Sequence, residues 1–125
     1  MPKLLERTPK IISVQFYANE NGAEPVRDWL KGLTAEDRYA IGTELKTIEF
    51  GWPLGMPLVK SMSGYSKLWE ARIFLEGGRI SRVMFTVYEN HMVLLHGFIK
   101  KSKSTPKPDL DLADERKRDV FRRGL

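Results

Sequence analysis

Apolar and polar positions alternate most clearly in four stretches of the chain. In residues 10–18, Ile12, Val14, Phe16 and Ala18 alternate with Ser13, Gln15 and Tyr17, the period of two that marks a strand. Asn19-Glu20-Asn21-Gly22 ends it with turn-forming residues. Behind Pro25, which suits a first helical turn, Val26, Trp29, Leu30 and Leu33 recur at helical spacing. A short helix is predicted there, weakened at its end by Gly32. Thr34-Ala35-Glu36-Asp37 has the form of a capping box. It opens a second helix with Ile41, Leu45 and Ile48 as its stripe, stopped by Gly51 and Pro53. So short a link makes the two helices antiparallel neighbours.

Residues 52–57 read as a loop and 58–62 as a short extended piece. Strands follow over 67–75, 79–88 and 91–100, with Glu76-Gly77-Gly78 and Glu89-Asn90 between them as hairpin turns. Residues 102–108 are polar and contain proline, as a linker does. Residues 109–123 are predicted helical, with an irregular apolar set (Leu110, Leu112, Ala113, Val120, Phe121) that shows no clear docking stripe. No internal repeat is visible. The order is β-α-α-β-β-β-α. It predicts an α+β fold: an antiparallel sheet, two N-terminal helices packed on one face, and a C-terminal helix.

Strand period also sorts the last three strands into faces. Trp69, Ala71, Ile73 and Leu75, then Ser81, Val83, Phe85 and Val87, then Val93, Leu95, Gly97 and Ile99 are predicted to face the core. The opposite face would gather Glu70, Arg72, Arg82, His96 and Lys100 among Phe74, Tyr88 and Phe98.

Composition narrows the setting. The chain has 125 residues, the size of one domain spanning 1–125, with 42% hydrophobic and 30% charged residues. The opening Met1-Pro2-Lys3-Leu4-Leu5-Glu6-Arg7 carries no apolar signal core, and no apolar run nears the ~20 residues of a membrane span. A cytoplasmic protein with no membrane partner is expected. There is no cysteine, and only two histidines, His91 and His96, so neither a metal site nor a cofactor is predicted. The net charge of +5 is unevenly spread. Residues 1–51 sum to −1, 52–108 to +6 and 109–125 to zero. A sheet built from the central segment would attract a polyanion.

The mixed sheet face has a chemical use. Arginine binds phosphate bidentately and stays charged at any working pH. Aromatic rings stack on unpaired bases. Histidine, or a lysine of depressed pKa, can move a proton. Such a face could bind single-stranded RNA and cleave it without metal, the 2′-hydroxyl attacking the adjacent phosphate while arginines hold the developing charge. Each residue also has a plain structural reading. Glu70 and Arg72 suit an ion pair, Arg82 a solvated strand position, and His96 a satisfied core histidine. Lys100-Lys101-Ser102-Lys103 suits a solvated strand end, and Trp29, Trp52 and Trp69 suit core anchors.

Three segments together resemble a known family. Leu68-Trp69-Glu70-Ala71-Arg72-Ile73, Arg79-Ile80-Ser81-Arg82-Val83-Met84-Phe85 and Leu94-Leu95-His96-Gly97-Phe98-Ile99-Lys100-Lys101 resemble the HigB-like, phage-derived branch of the RelE/ParE toxin superfamily. Ser104-Thr105-Pro106, the charged final helix and residues 55–60 resemble it too. Ala71 stands where the family commonly has leucine, and Ser81 where it has tyrosine. The resemblance implies a RelE-like fold and the toxin of a type II toxin–antitoxin pair. The implied activity is ribosome-dependent mRNA cleavage without metal or cofactor, and the implied partner a helix-turn-helix antitoxin. By position it makes Arg72 and Arg82 the phosphate-handling arginines, with Glu70 orienting Arg72 and His96 a candidate acid or base. Lys60, Lys100 and Lys101 would bind RNA backbone, with Phe98 beside them. Two other functions stay open: a ParE-like gyrase inhibitor acting by protein binding, and a non-catalytic RNA-binding prophage remnant.

Overall fold

The computed structural model of the chain describes residues 9–125. The opening stretch read above for a signal sequence lies outside the described residues. The elements run β1 (Ser13–Phe16), α1 (Pro25–Lys31), α2 (Ala35–Gly51), β2 (Val59–Ser61), β3 (Trp69–Phe74), β4 (Ile80–Tyr88), β5 (His91–Lys100) and α3 (Lys107–Arg123). The fold is α+β, as the order of apolar patterns predicts. The short extended piece at 58–62 becomes a strand of its own, β2. Among the described residues no helix is long and apolar enough to cross a membrane.

The five strands form one open sheet in the order β1-β5-β4-β3-β2. The sheet is mixed, which corrects the antiparallel expectation. β2 through β5 are antiparallel neighbours, but β1 runs parallel to β5, with Ser13 opposite His91 and Phe16 opposite Leu94. Alternation reports which face a side chain takes, and carries no information on the direction of the neighbouring strand. β1 is also shorter than its alternation. Ile11 and Ile12 donate their N–H groups to Glu49 O in α2, so the chain leaves the sheet there.

The helix signals are met by local bonds and then used for tertiary ones. Thr34 Oγ1 accepts the Asp37 N–H at 3.2 Å, capping α2. The Asp37 carboxylate accepts two hydrogen bonds from Arg79, at 2.7 and 3.0 Å, tying the start of α2 to the β3–β4 turn. Those Arg79 bonds hold the Asp37 carboxyl below the usual carboxylate range. α3 begins two residues earlier than predicted, at Lys107, with Pro108 in its first turn, and ends on Gly124 in the left-handed region at φ 80°.

Both faces of the sheet are covered. α1 and α2 pack on one, burying Val26, Ile41, Leu45 and Ile48 against Ala71, Ile73, Val83, Phe85, Met92 and Leu94. Trp52, Trp69 and Phe85 meet there, the Trp52 and Trp69 rings edge-on at 5.0 Å. Trp29 lies on Gly97, where an added Cβ would stand 2.4 Å from the indole ring. α3 covers the other face, burying Ala113 and Val120 against Leu68, Met84, Val93 and Leu95. The mixed face is therefore no open concave surface.

One irregularity redistributes β5. Met84 pairs with His96 but Phe85 pairs with Leu94, so Leu95 is an extra residue, a β-bulge. Strict period two places Val93 and Leu95 with Gly97 and Ile99. Across the bulge the parity reverses: Val93 and Leu95 lie under α3, while Met92 and Leu94 join the core beneath α1 and α2. The carbonyl of Leu95 accepts a hydrogen bond from Arg116 of α3 at 2.8 Å, so the bulge also helps dock that helix.

Candidate functional site

Register brings the predicted charged residues into cross-strand rows on the α3 face. Lys60, Glu70, Met84 and His96 form one row across β2, β3, β4 and β5. Arg72, Arg82 and Phe98 form the next, and Phe74, Ile80 and Lys100 the third. These residues lie below the β5 bulge, where period-two parity holds.

The centre of this face is a cluster of two guanidiniums and one carboxylate. Arg72 and Arg82 stand directly opposite each other on β3 and β4, an arrangement of like charges that destabilises a sheet on its own. Glu70 Oε1 lies 3.7 Å from Nε of both, and bridges them. The Glu70 and Arg82 side chains are 2% and 0% exposed, and that of Arg72 is 17% exposed. Arg82 is therefore the inner member of the pair and Arg72 the outer. Burial pushes the Arg82 pKa down from the ordinary arginine value; the Glu70 carboxylate opposes the shift and the charge of Arg72 adds to it. The guanidinium remains protonated at any working pH.

The linker between β5 and α3 lies over this cluster as a strap. Arg82 Nη2 donates to Ser102 O, Arg72 Nη2 donates to Lys103 O at 3.3 Å, and Thr105 Oγ1 donates to Glu70 Oε2. Sequence reasoning missed these three strap residues. Ser102 and Lys103 stood in the run read as a solvated strand end and Thr105 in the Ser-Thr-Pro element, and neither reading suggested a partner in the cluster. Arg72 Nε, Arg82 Nε and Arg82 Nη1 are buried and donate to no described residue. Unmade hydrogen bonds of buried groups cost about 1–3 kcal/mol each. The cluster thus holds one net positive charge, and Arg72, its partly exposed member, is the guanidinium that an oxyanion such as phosphate would meet.

The remaining predicted residues are placed less tightly. His96 lies two strands from Glu70, roughly 10 Å by sheet spacing, with Met84 between them. Its Nε2 is 2.7 Å from Asp109 Oδ1 in the first turn of α3. His96 makes no hydrogen bond or ion pair with Arg72, Arg82 or Glu70. Phe98 is half-buried, its ring centroid 5.6 Å from that of His96 and 5.3 Å from Lys100 Nζ. It is a packed ring rather than an open stacking surface. Lys100 Nζ also lies 3.9 Å from Asp109 Oδ2. Lys60 on edge strand β2 and Lys101 at the start of the strap are exposed, as is Lys103. With Arg72 they form a cationic rim around the cluster. Among the described residues, no three His, Asp or Glu side chains gather as a metal site would require.

The family comparison covers this region. The family described as phage-derived protein Gp49-like (DUF891) matches residues 28–118, which include every residue of the cluster, rim and strap. No curated protein matches the chain. From a match that spans most of its length, the chain belongs to the Gp49-like family of phage-derived proteins.

Proposed function

We propose that this protein is the toxin of a type II toxin–antitoxin pair, of the HigB-like branch and RelE-like fold, acting as a ribosome-dependent mRNA endonuclease. The observation that carries this reading is the Glu70-bridged pair Arg72 and Arg82, set behind a rim of exposed lysines. Family membership, in a group of phage-derived proteins, is consistent with it.

In this reading Lys60, Lys101 and Lys103 hold the RNA backbone, and Arg72 makes the phosphate contact. The 2′-oxygen forms a bond to phosphorus and loses its proton. The bond to the 5′-oxygen breaks, and that oxygen takes up a proton. Negative charge grows on the non-bridging oxygens in between, where Arg72 stabilises it directly. Arg82, wholly buried, adds its field from behind, in surroundings of low dielectric where a charge acts strongly. Glu70 is a positioning residue that keeps two like charges side by side. His96, turned to Asp109, is not given the proton-transfer role. A helix-turn-helix antitoxin is the proposed partner.

The test is expression from a tightly repressed promoter, with mapping of mRNA 5′ ends after induction. New ends inside translated reading frames are expected. They should fall by about a hundredfold in Arg72→Ala, the effect of removing one transition-state donor. Arg72 is the outer arginine, so this variant keeps the buried Glu70–Arg82 pair. Growth arrest with intact mRNA would overturn the nuclease reading in favour of a protein target such as gyrase. Unchanged ends in Arg72→Ala would remove the arginine mechanism.

A further inference from the structure

Away from the arginines, a cavity of about 460 Å³ opens between the β2–β3 loop and one flank of α3. Tyr65 and Lys67 line it from the loop, and Asp114, Lys117, Arg118 and Phe121 from the helix. Lys117 is buried and spent on the fold, its ammonium shared between Asp114 Oδ1 at 2.8 Å and Ser66 O. The other two cations are exposed and largely unspent. Lys67 forms no ion pair with any described residue, and its Nζ stands 5.1 Å from the centroid of the Phe121 ring. Arg118 turns only its Nε toward Asp114 Oδ2, at 3.4 Å, and its two Nη groups donate to no described residue. Three cations against one carboxylate leave the cavity positive.

Lys67 also stands where the backbone suits another residue. Its φ of 52° lies in the left-handed region, which glycine enters freely and lysine only at a cost. Its carbonyl accepts the Thr86 Oγ1 proton at 2.7 Å, a bond that any residue would make. A cation over one exposed ring stabilises weakly. A lysine kept in a strained position points to a use for its ammonium. That use lies close to the arginine cluster. Lys67 stands five residues before Arg72, no more than ~18 Å away along extended chain, and Lys60, opposite Glu70, stands at a level between them. Such a span is covered by a few nucleotides of single strand.

We propose that this cavity is a second RNA subsite, in which Lys67 and the Nη groups of Arg118 hold a backbone phosphate a few nucleotides from the one at Arg72. The assignment rests on the RNA reading given above and extends its footprint past Lys60. Contacts to phosphate fix affinity and register and select no base.

The test uses dye-labelled, 2′-O-methylated oligouridines, which bind without being cleaved: a decamer that spans both sites and a trimer that fills one. Affinities are read by fluorescence anisotropy over a salt series. Wild type should bind the decamer more tightly than the trimer. The double variant Lys67→Ala, Arg118→Ala, at two exposed positions, should lose most of that advantage. Its plot of log affinity against log salt for the decamer should be shallower by about 0.7 for each cation removed. Lys67→Gly relaxes the backbone, so it should melt no lower than wild type and still weaken the decamer. Wild-type decamer affinity and salt slope in these variants would overturn the subsite. If Arg72→Ala weakens the decamer in the same series, the RNA reading stands and the subsite alone fails. If wild type binds neither oligomer, the RNA reading fails with the subsite, and the cavity is left to an acidic protein segment.

Discussion

Beneath α1 and α2, Val83, Phe85, Met92 and Leu94 lie against Ile41, Leu45 and Ile48, all of them buried and all apolar. Beneath α3 and its strap, Glu70 and Arg82 occupy positions just as buried, beside Met84 and Leu95. The first face is held by apolar area removed from water, which contributes about 1.5–3 kcal/mol for each large side chain. The second buries Leu68, Met84, Val93 and Leu95 under Ala113 and Val120 and adds specific bonds. Tyr17 donates to Asp119 at 2.6 Å, Arg116 donates to Leu95 O at 2.8 Å, and Lys117 reaches both Ser66 O and Asp114. Desolvating charges costs about as much as their pairing returns, so apolar residues of similar volume would stabilise the second face as well or better. The difference teaches where selection for stability stops. A charged cluster at a position that favours hydrocarbon is stability forgone, as the proposed phosphate chemistry would require.

The contrast breaks first at its apolar side. Phe85→Ala removes a ring that touches Trp52 and Trp69, and should cost about 3–5 kcal/mol in urea denaturation. A loss below about 1 kcal/mol would show that this face is not the main source of stability. The charged side is sharpened by two variants measured together. Glu70→Ala leaves the buried Arg82 guanidinium uncompensated beside the like charge of Arg72 and should cost about 3 kcal/mol. The triple change Glu70→Leu, Arg72→Met, Arg82→Met should restore stability to near wild type while abolishing toxicity. A triple variant as unstable as Glu70→Ala would mean that the cluster itself holds the fold.

The smallest effect is confined to acid. Hydrogen bonds from Arg123 and Tyr17 hold the Asp119 carboxyl at about 2, against the ordinary 3.8. Between those values the unfolded chain is protonated and the folded chain is not. The contribution of Asp119 is complete above about pH 4 and is lost as pH falls toward 2. Asp119→Asn should therefore flatten the stability profile in that window. An unchanged acid limb would show that Asp119 does not anchor α3 through its charge.

How much of the site was legible varied with the range of the interaction. Arg72 and Arg82 were placed on one face by alternation alone, since both lie where the sheet is regular. Glu70 followed for the same reason. The strap was not legible, because Ser102 and Lys103 act through backbone carbonyls that any residue would supply. The pairing of His96 with Asp109 joins a strand to a helix across the strap.

By itself the sequence determined the local choices: a capped α2 with its Ile41, Leu45 and Ile48 stripe, three hairpin-linked strands, and a basic central segment. These rest on propensity, capping and periodicity, which act over a few residues. Tertiary structure alone decided that β1 runs parallel to β5, that Leu95 bulges and reverses the faces of Val93 and Leu94, and that α3 closes the second face while its leading strap lies over the arginines. Each of these is set by the balance of contacts between segments far apart in the chain. That balance includes the pairing of buried charges and backbone groups, which exists only once the segments have met.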